Sequence, residues 1–476
     1  MRCVVLVALL AVAGLAPAAP REETWMSVTL DGRKIGHMQT LREERDGRIV
    51  TTQALDVQLE RAGIGVDLFS SETSEETADG KPLAFSARSR MSGSETLLEG
   101  RLRDDGQVEI TTRVGGQSQT HTAAWPAGAL LAEGLRRHAL RAGLAPGTRY
   151  SDLAYQPSSA DAVRVDTAVR AAESVDLPGG RRRLHRLEQT LALPGAPTQS
   201  TAWVDAQQNV QRMTMDLLGF RLEMLACSQA CATAPNQGTD MLQHSLLQAP
   251  RALTPEELRG GLRYTLAARA EGATLELPGT DEQRVQRRGA TLRVDVAAAR
   301  GDTREPPVAA DRGANAWLQS DAPELRSLAH DAAGNAQGDA ARMQALETFV
   351  RGYIRDKNLS VGYASALEVV KTREGDCTEH AVLLAALGRA LGIPTRVVDG
   401  LAYTGRFGTA ERVFVPHAWV QAWVDGHWRS YDAALNGFDA GHIALSVGDG
   451  DPWRFYAGLS TLGNLRLQQV EALPAP

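Results

Sequence analysis

The sequence predicts an α+β protein: an N-terminal antiparallel β-rich domain, followed by a C-terminal domain in which one buried helix packs on an antiparallel sheet. Three observations carry this. From Thr24 to Cys231 apolar residues recur mostly with a period of two, the signature of half-buried strands. After Gly313 the period turns helical, with Met343, Leu346, Phe349, Val350, Tyr353 and Ile354 on one stripe. Then Ala381 to Leu391, apolar nearly all round and so expected to be buried, precedes strand patterns at Thr395–Tyr403, His417–Val424 and His427–Asp432.

The elements follow in chain order. Arg2 precedes an apolar run from Val4 to Leu15 and then Ala16-Pro17-Ala18, an A-x-A-like cleavage site, so residues 1–19 read as a secretory signal peptide. The mature chain is expected to be exported, periplasmic or secreted. No later stretch reaches about 18 apolar residues, so no integral membrane segment is expected. Residues 20–232 form the β-rich domain. Met26, Val28 and Leu30 alternate with polar neighbours and Asp31-Gly32 closes a hairpin. Further strands are expected at Ala54–Leu59, Phe85–Met91, Val108–Thr112, Val163–Val169, Leu184–Leu193, Thr198–Val204 and Val210–Leu217. One helix interrupts them, Ala127 to Ala142. Residues 233–254, with Pro235, Gly238 and Pro250, read as a linker. Residues 255–312 read as a short β-rich segment with strands at Leu262–Leu266, Ala273–Leu277 and Ala290–Val296. Residues 313–470 form the last domain.

Charge and cysteine usage narrow the function. The 476 residues carry a formal charge of −6, and the Arg181-Arg182-Arg183 run is too short to make a basic stripe, so a nucleic-acid partner is not expected. Cys3 lies inside the signal peptide. Cys227 and Cys231, four apart, are expected to form a short-loop disulfide in an oxidising compartment, which leaves Cys377 alone and in need of a reason.

The reason lies in its neighbours. Asp376 is a good N-cap and Glu379 a capping-box partner, so Cys377 falls in the first turn of the buried helix. There the positive end of the helix dipole favours a thiolate, whereas an unassisted thiol with a pKa near about 8.5 is only slightly ionised at neutral pH. Downstream, Asp425-Gly426 makes a two-residue turn. That turn pairs Val424 with His427 and Trp423 with Trp428, and sets His417 and Asp432 on one sheet face as diagonal neighbours. A slip of one residue would put Asp432 on the opposite face. The three residues make a working set: Cys377 as nucleophile, His417 as base, Asp432 as the carboxylate that orients His417.

The segments Arg373-Glu-Gly-Asp-Cys377-Thr-Glu-His-Ala381, Pro416-His417-Ala-Trp-Val420 and Trp428-Arg-Ser-Tyr-Asp432 resemble the three blocks of the transglutaminase-like superfamily. Trp317-Leu-Gln-Ser-Asp-Ala-Pro323 resembles segments that precede this domain in bacterial members. The resemblance implies a papain-like core fold and gives Cys377, His417 and Asp432 the nucleophile, base and orienting roles. Papain proper does not fit, because its motif around the cysteine is absent. No D-x-D-x-D-G loop supports calcium activation. Cys377-x2-His380 with His417 lacks a fourth ligand for zinc, so no metal or cofactor is expected. His427 and His442 have no partner that the sequence identifies and are expected at the surface.

The expected function is therefore exported, thiol-dependent acyl transfer on peptide or glutamine-type amide bonds, with a protein or peptide as substrate. Two alternatives stand beside it. One is a cysteine protease or amidase that uses water as acceptor. The other is an inert envelope scaffold whose β domain meets a cell-envelope partner.

Overall fold

The computed structural model describes residues 21–61, 64–91, 94–192, 197–217, 220–240, 245–269, 275–298, 305–357, 363–451 and 462–474. The expected signal peptide lies outside them. So does the start of the expected strand Ala273–Leu277, whose described residues are not in a strand.

Residues Arg21 to Cys227 build one sheet of fifteen strands among the described residues. Its order is that of two meanders joined back to back. Eight strands step outward as successive hairpins from Arg21–Leu30 to the edge strand Gln117–Ala124. Seven more start at Ala129–Leu130 on the opposite edge and step inward to Phe220–Cys227, which pairs with Arg21–Leu30 in the middle, Val28 opposite Met224. Asp31 and Gly32 have φ of 49° and 78°, the left-handed pair that a tight hairpin turn needs. The sheet curls enough for its two arms to share a core: Phe85, Leu98, Val108 and Ile110 of one pack with Ala129, Leu131 and Tyr155 of the other.

The helix of this half spans Ala132–Ala142, because Ala129–Leu130, expected as its first turn, is taken into the sheet. Leu131 has no side chain to cap the helix, and Glu76 does so from across the curl. Its carboxylate accepts the N–H groups of Glu133 at 2.6 Å and Gly134 at 2.8 Å. The expected disulfide is not formed. One helical turn, Gln229–Ala232, brings Cys231 beside Cys227, but both are thiols that share a hydrogen bond. Burial, then the neighbouring thiol, pushes Cys227 up to about 12.

The C-terminal half is one body with two sheets. In the first, Leu247–Gln248, Ala410–Val424, Thr395–Phe407 and His442–Gly448 lie in that order, and His427–Tyr431 also pairs with Ala410–Val424. Residues 247–248, expected in a linker, are thus an edge strand. The second sheet holds Gln283–Arg288, Thr291–Val296, Leu262–Ala268 and, from the far end of the chain, Leu465–Ala472. Segment 255–312 is therefore completed by the C-terminus, and its Leu262, Tyr264 and Leu266 share a core with Leu401, Phe414 and Ile443. Cys377–Ala390 packs on the first sheet with Asp339–Tyr353 beside it, and Pro323–Ala333 and Ala366–Thr372 pack against the central helix Cys377–Ala390.

The halves touch through hairpin tips of the large sheet. Ser94 donates to both Glu368 oxygens at 3.0 and 3.1 Å, and Gln319 Nε2 donates to the Val114 carbonyl at 3.1 Å. Gly115, with φ 59°, leaves room that a Cβ would close to 2.6 Å from Ser365 Oγ.

Candidate active site

Cys377 is the first residue of the helix Cys377–Ala390, and every residue from Thr378 to Arg389 is buried. The cap is reciprocal. Asp376 Oδ1 accepts Thr378 N–H at 2.9 Å and its hydroxyl at 2.8 Å, while Glu379 Oε2 accepts Asp376 N–H at 2.8 Å. Glu379 also accepts Ala364 N–H at 3.0 Å, which ties the loop before Ser365 to the helix start. Burial and then the Asp376 charge push Glu379 up to about 8. Gly375, at φ 151°, lies so close to Glu379 that a Cβ would approach its side chain to 2.3 Å, so this turn has no space for a larger residue.

His417 and Asp432 meet as the hairpin register requires. Val424 pairs with His427, Trp423 with Trp428, Gln421 with Ser430 and Val420 with Tyr431. Asp425 and Gly426, with φ of 52° and 80°, form the turn. His417 Nε2 lies 2.8 Å from Asp432 Oδ2, and both residues are buried. The strand ends at Tyr431 because Asp432 turns the chain: its Oδ1 accepts Ala434 N–H at 2.8 Å and Leu435 N–H at 3.1 Å.

Three buried carboxylates fix that strand from its outer edge. Asp281 accepts Trp428 N–H at 2.6 Å, Glu282 accepts Ser430 N–H at 3.0 Å, and Glu347 accepts Asp432 N–H at 2.7 Å. Arg351, one turn beyond Glu347, donates to the Asp432 carbonyl at 3.2 Å. The helix Asp339–Tyr353 thus holds Asp432 by both backbone groups. Burial raises the pKa of Glu282 and of Glu347, and the hydrogen bonds to both, with Arg351 3.9 Å from Glu347 Oε1, offset it only in part.

His442, expected at the surface, is buried in this cluster. Its Nε2 lies 3.1 Å from the same Asp432 Oδ2, and its Nδ1 lies 3.1 Å from Asp439 Oδ1. For Asp432, burial would raise the pKa. The charges and hydrogen bonds of His417 and then His442 outweigh it and hold the carboxyl well below its ordinary range. His380 is buried too. Its Nδ1 lies 2.6 Å from the Asp376 carbonyl and its Nε2 has no hydrogen-bond partner among the described residues. Burial pulls its pKa down.

Among the described residues, His417, Asp432 and His442 form a group whose possible metal-ligand atoms all lie within 4.8 Å of one another. Their spacing is that of hydrogen bonds. A zinc ion about 2.1 Å from each atom would have its N–Zn–O angles closed to about 84° and 95° by the 2.8 and 3.1 Å separations, well short of tetrahedral.

The C-terminal half is thus α+β: a buried helix that begins at Cys377 packs on the strand that carries His417, and Asp432 meets His417 from the end of the next strand. Residues 326–433 match the transglutaminase-like superfamily, and the chain carries a domain of that superfamily. An uncharacterized protein of Mycobacterium leprae (strain TN) is 32% identical over 90 residues, which cover 18% of this chain and 32% of that relative, so the match spans about a third of its length. Among solved structures, a candidate cysteine protease from Cytophaga hutchinsonii is similar at 16% identity and a TM-score of 0.29, over 45% of this chain and 84% of its own. The periplasmic domain of TgpA from Pseudomonas aeruginosa, bound to ethylmercury, gives 21%, 0.25, 47% and 82% in the same terms. A β-barrel-like protein of a domain of unknown function from Brucella abortus gives 13%, 0.36, 44% and 97%. Among the described residues, no helix is long and apolar enough to cross a membrane.

Proposed function

We propose that this protein is an exported thiol-dependent acyl-transfer enzyme acting on peptide or glutamine-type amide bonds, with Cys377, His417 and Asp432 as its triad. The observation that carries the proposal is the buried 2.8 Å contact between Asp432 Oδ2 and Nε2 of His417, which lies on the strand against which the Cys377 helix packs. A carboxylate at Nε2 keeps the proton there and leaves Nδ1 as the basic nitrogen. In the reaction, Nδ1 takes the Cys377 thiol proton and the sulfur adds to the substrate carbonyl, forming the C–S bond. The helix start favours the negative charge that develops there. His417 then returns the proton to the departing amine or ammonia, and the C–N bond breaks to leave a thioester. An amine or water attacks the thioester, gives its proton to His417, and the thiol is restored as the C–S bond breaks.

Export rests on the apolar run after Arg2, and a protein or peptide is the substrate class that an amide-directed thiol addresses. The experiment is mass spectrometry of a glutamine-rich protein and of a peptide library incubated with the mature chain and a labelled primary amine, with Cys377→Ala as control. Label incorporation that depends on Cys377 supports transfer to amines. Cleavage or deamidation without incorporation assigns water as the acceptor. Neither product, across both substrates, contradicts the proposal.

A further inference from the structure

We infer that His442 is a positioning residue of this site: gripped by Asp439, it holds the carboxylate that orients His417 and adds a positive charge beside it. This rests on the catalytic reading of Cys377, His417 and Asp432.

The topology brings the two histidines together. His417 pairs with Gly400 and His442 with Ala402, so they flank the strand Thr395–Phe407 from opposite sides, two residues apart along it. The connection 432–441 carries the chain from beyond one flanking strand to the other, which begins at His442. Small residues at the centre let the groups converge. A Cβ on Gly400 would lie 2.2 Å from the Ile443 carbonyl and 2.8 Å from the Trp419 ring. The imidazole centroids of His417 and His442 are 5.6 Å apart.

Both nitrogens of His442 face oxygens. Nε2 lies 3.1 Å from Asp432 Oδ2, while Nδ1 lies 3.1 Å from both the Asp439 carboxylate and the Asp439 carbonyl and 3.3 Å from the Asp439 backbone nitrogen, whose N–H points to it. Two oxygens nearer to Nδ1 than that one nitrogen, and a carboxylate at Nε2, are best satisfied by an imidazolium. Trp419 and Phe438 pack on it at centroid distances of 5.1 and 4.9 Å, Trp419 nearly edge-on at 77°. The titratable groups that face His442 among the described residues are Asp432, Asp439 and His417. Burial would lower its pKa, but the hydrogen bonds to Asp432 and Asp439 and their charges outweigh it and bring it to about 9.

Two consequences follow. Asp432 Oδ2 is held from a second side, which fixes the direction of its bond to His417. And the cation, sharing that oxygen, favours loss of protons from the Cys377–His417 pair, so it sets the working pH lower than Asp432 alone would. His442→Gln retains a neutral donor for Asp432 and removes the charge.

The test is the pH dependence of Cys377 alkylation, and of kcat/KM on whichever substrate the wild type turns over, in the wild type, His442→Gln, Asp439→Asn and His417→Ala. The expected result is a profile displaced to higher pH by about one unit in His442→Gln. Asp439→Asn, which leaves the ring in place, should move it less and in the same direction. A His417-dependent thiolate in the wild type whose profile neither variant moves overturns the inference and leaves the catalytic reading intact. A wild-type thiol indifferent to His417→Ala defeats the catalytic reading itself, and the inference falls with it. Stoichiometric zinc in the wild type that is lost from His442→Gln also overturns the inference, by making the cluster a metal site. If His442→Gln does not fold, Asp439→Asn decides.

Discussion

In the fifteen-stranded sheet, charged residues pair across neighbouring strands in the solvent: Arg170 with Glu188 at 2.7 Å, Arg181 with Asp176 at 2.7 Å, Arg113 with Glu99 at 2.7 Å. In the C-terminal half, Asp376, Glu379, His380, Asp399, His417, Asp432 and His442 are all buried. The cores differ in the same sense. The sheet holds several small apolar clusters, whereas the Cys377 helix lies in one that runs from Leu318 to Ala433. Successive hairpins supply the sheet's order locally, so it has no need of buried charge. Among the described residues two buried carboxylates of this half, Glu76 at the helix start and Glu133 among Arg42, Arg136 and Arg137, serve the helix that plugs the curl. Buried ionisable groups are costly unless fully hydrogen-bonded. Seven of them gather around one helix start and one hairpin, and under the proposed function this is where stability is given up for chemistry.

Mutations in the two halves should differ in what they cost. The largest effect belongs to Cys377→Ala and His417→Ala, each expected to lower turnover by about a thousandfold or more with an unchanged circular dichroism spectrum. Comparable turnover in either variant would mean that the buried charges serve something else. Next comes Glu347→Ala, which leaves the Asp432 N–H without its acceptor at 2.7 Å. A loss of about 1–3 kcal/mol in urea unfolding is expected, together with reduced turnover, because the strand end that carries the carboxylate loosens.

Asp399→Asn should show itself through pH. Burial pushes Asp399 up to about 7 in spite of its hydrogen bond from Ser446. Its folded pKa is above its unfolded one of about 3.9, so the stability tied to the neutral acid is present below that value and lost as pH rises through 7. The asparagine has no such loss, and its melting temperature should gain on the wild type between pH 5 and pH 8.5. Asp432, with a depressed pKa, acts in the opposite sense and loses its contribution as pH falls. The smallest effect is Arg170→Ala: an exposed pair on the large sheet, whose loss should leave both melting temperature and turnover unchanged.

What the sequence disclosed followed from local rules. The Asp425-Gly426 turn sets the register of its hairpin, so the meeting of His417 with Asp432 could be read by pairing residues outward from it. Asp376 and Glu379 announce the helix start by their three-residue spacing. His442 was hidden because no tight turn joins its strand to the hairpin: residues 432–441 intervene, and its pairing shifts register between Asp399 and Gly400. Strands Ile64–Thr77 and Gln117–Ala124 escaped because polar runs such as Ser70-Ser71-Glu72 and Gln117-Ser118-Gln119 carry no apolar alternation. The completion of segment 255–312 by Leu465–Ala472 is a pairing over some two hundred residues that no local pattern encodes.

The measurement that bears most directly on the account is the pH dependence of Cys377 alkylation, read by peptide mass spectrometry, in the wild type and in His417→Ala. A thiol that reacts as a thiolate well below a pH of about 8.5, and loses that reactivity without His417, is what the buried His417–Asp432 pair predicts. A thiol with an ordinary profile, the same in both proteins, would contradict it and turn attention to the large sheet and whatever it binds.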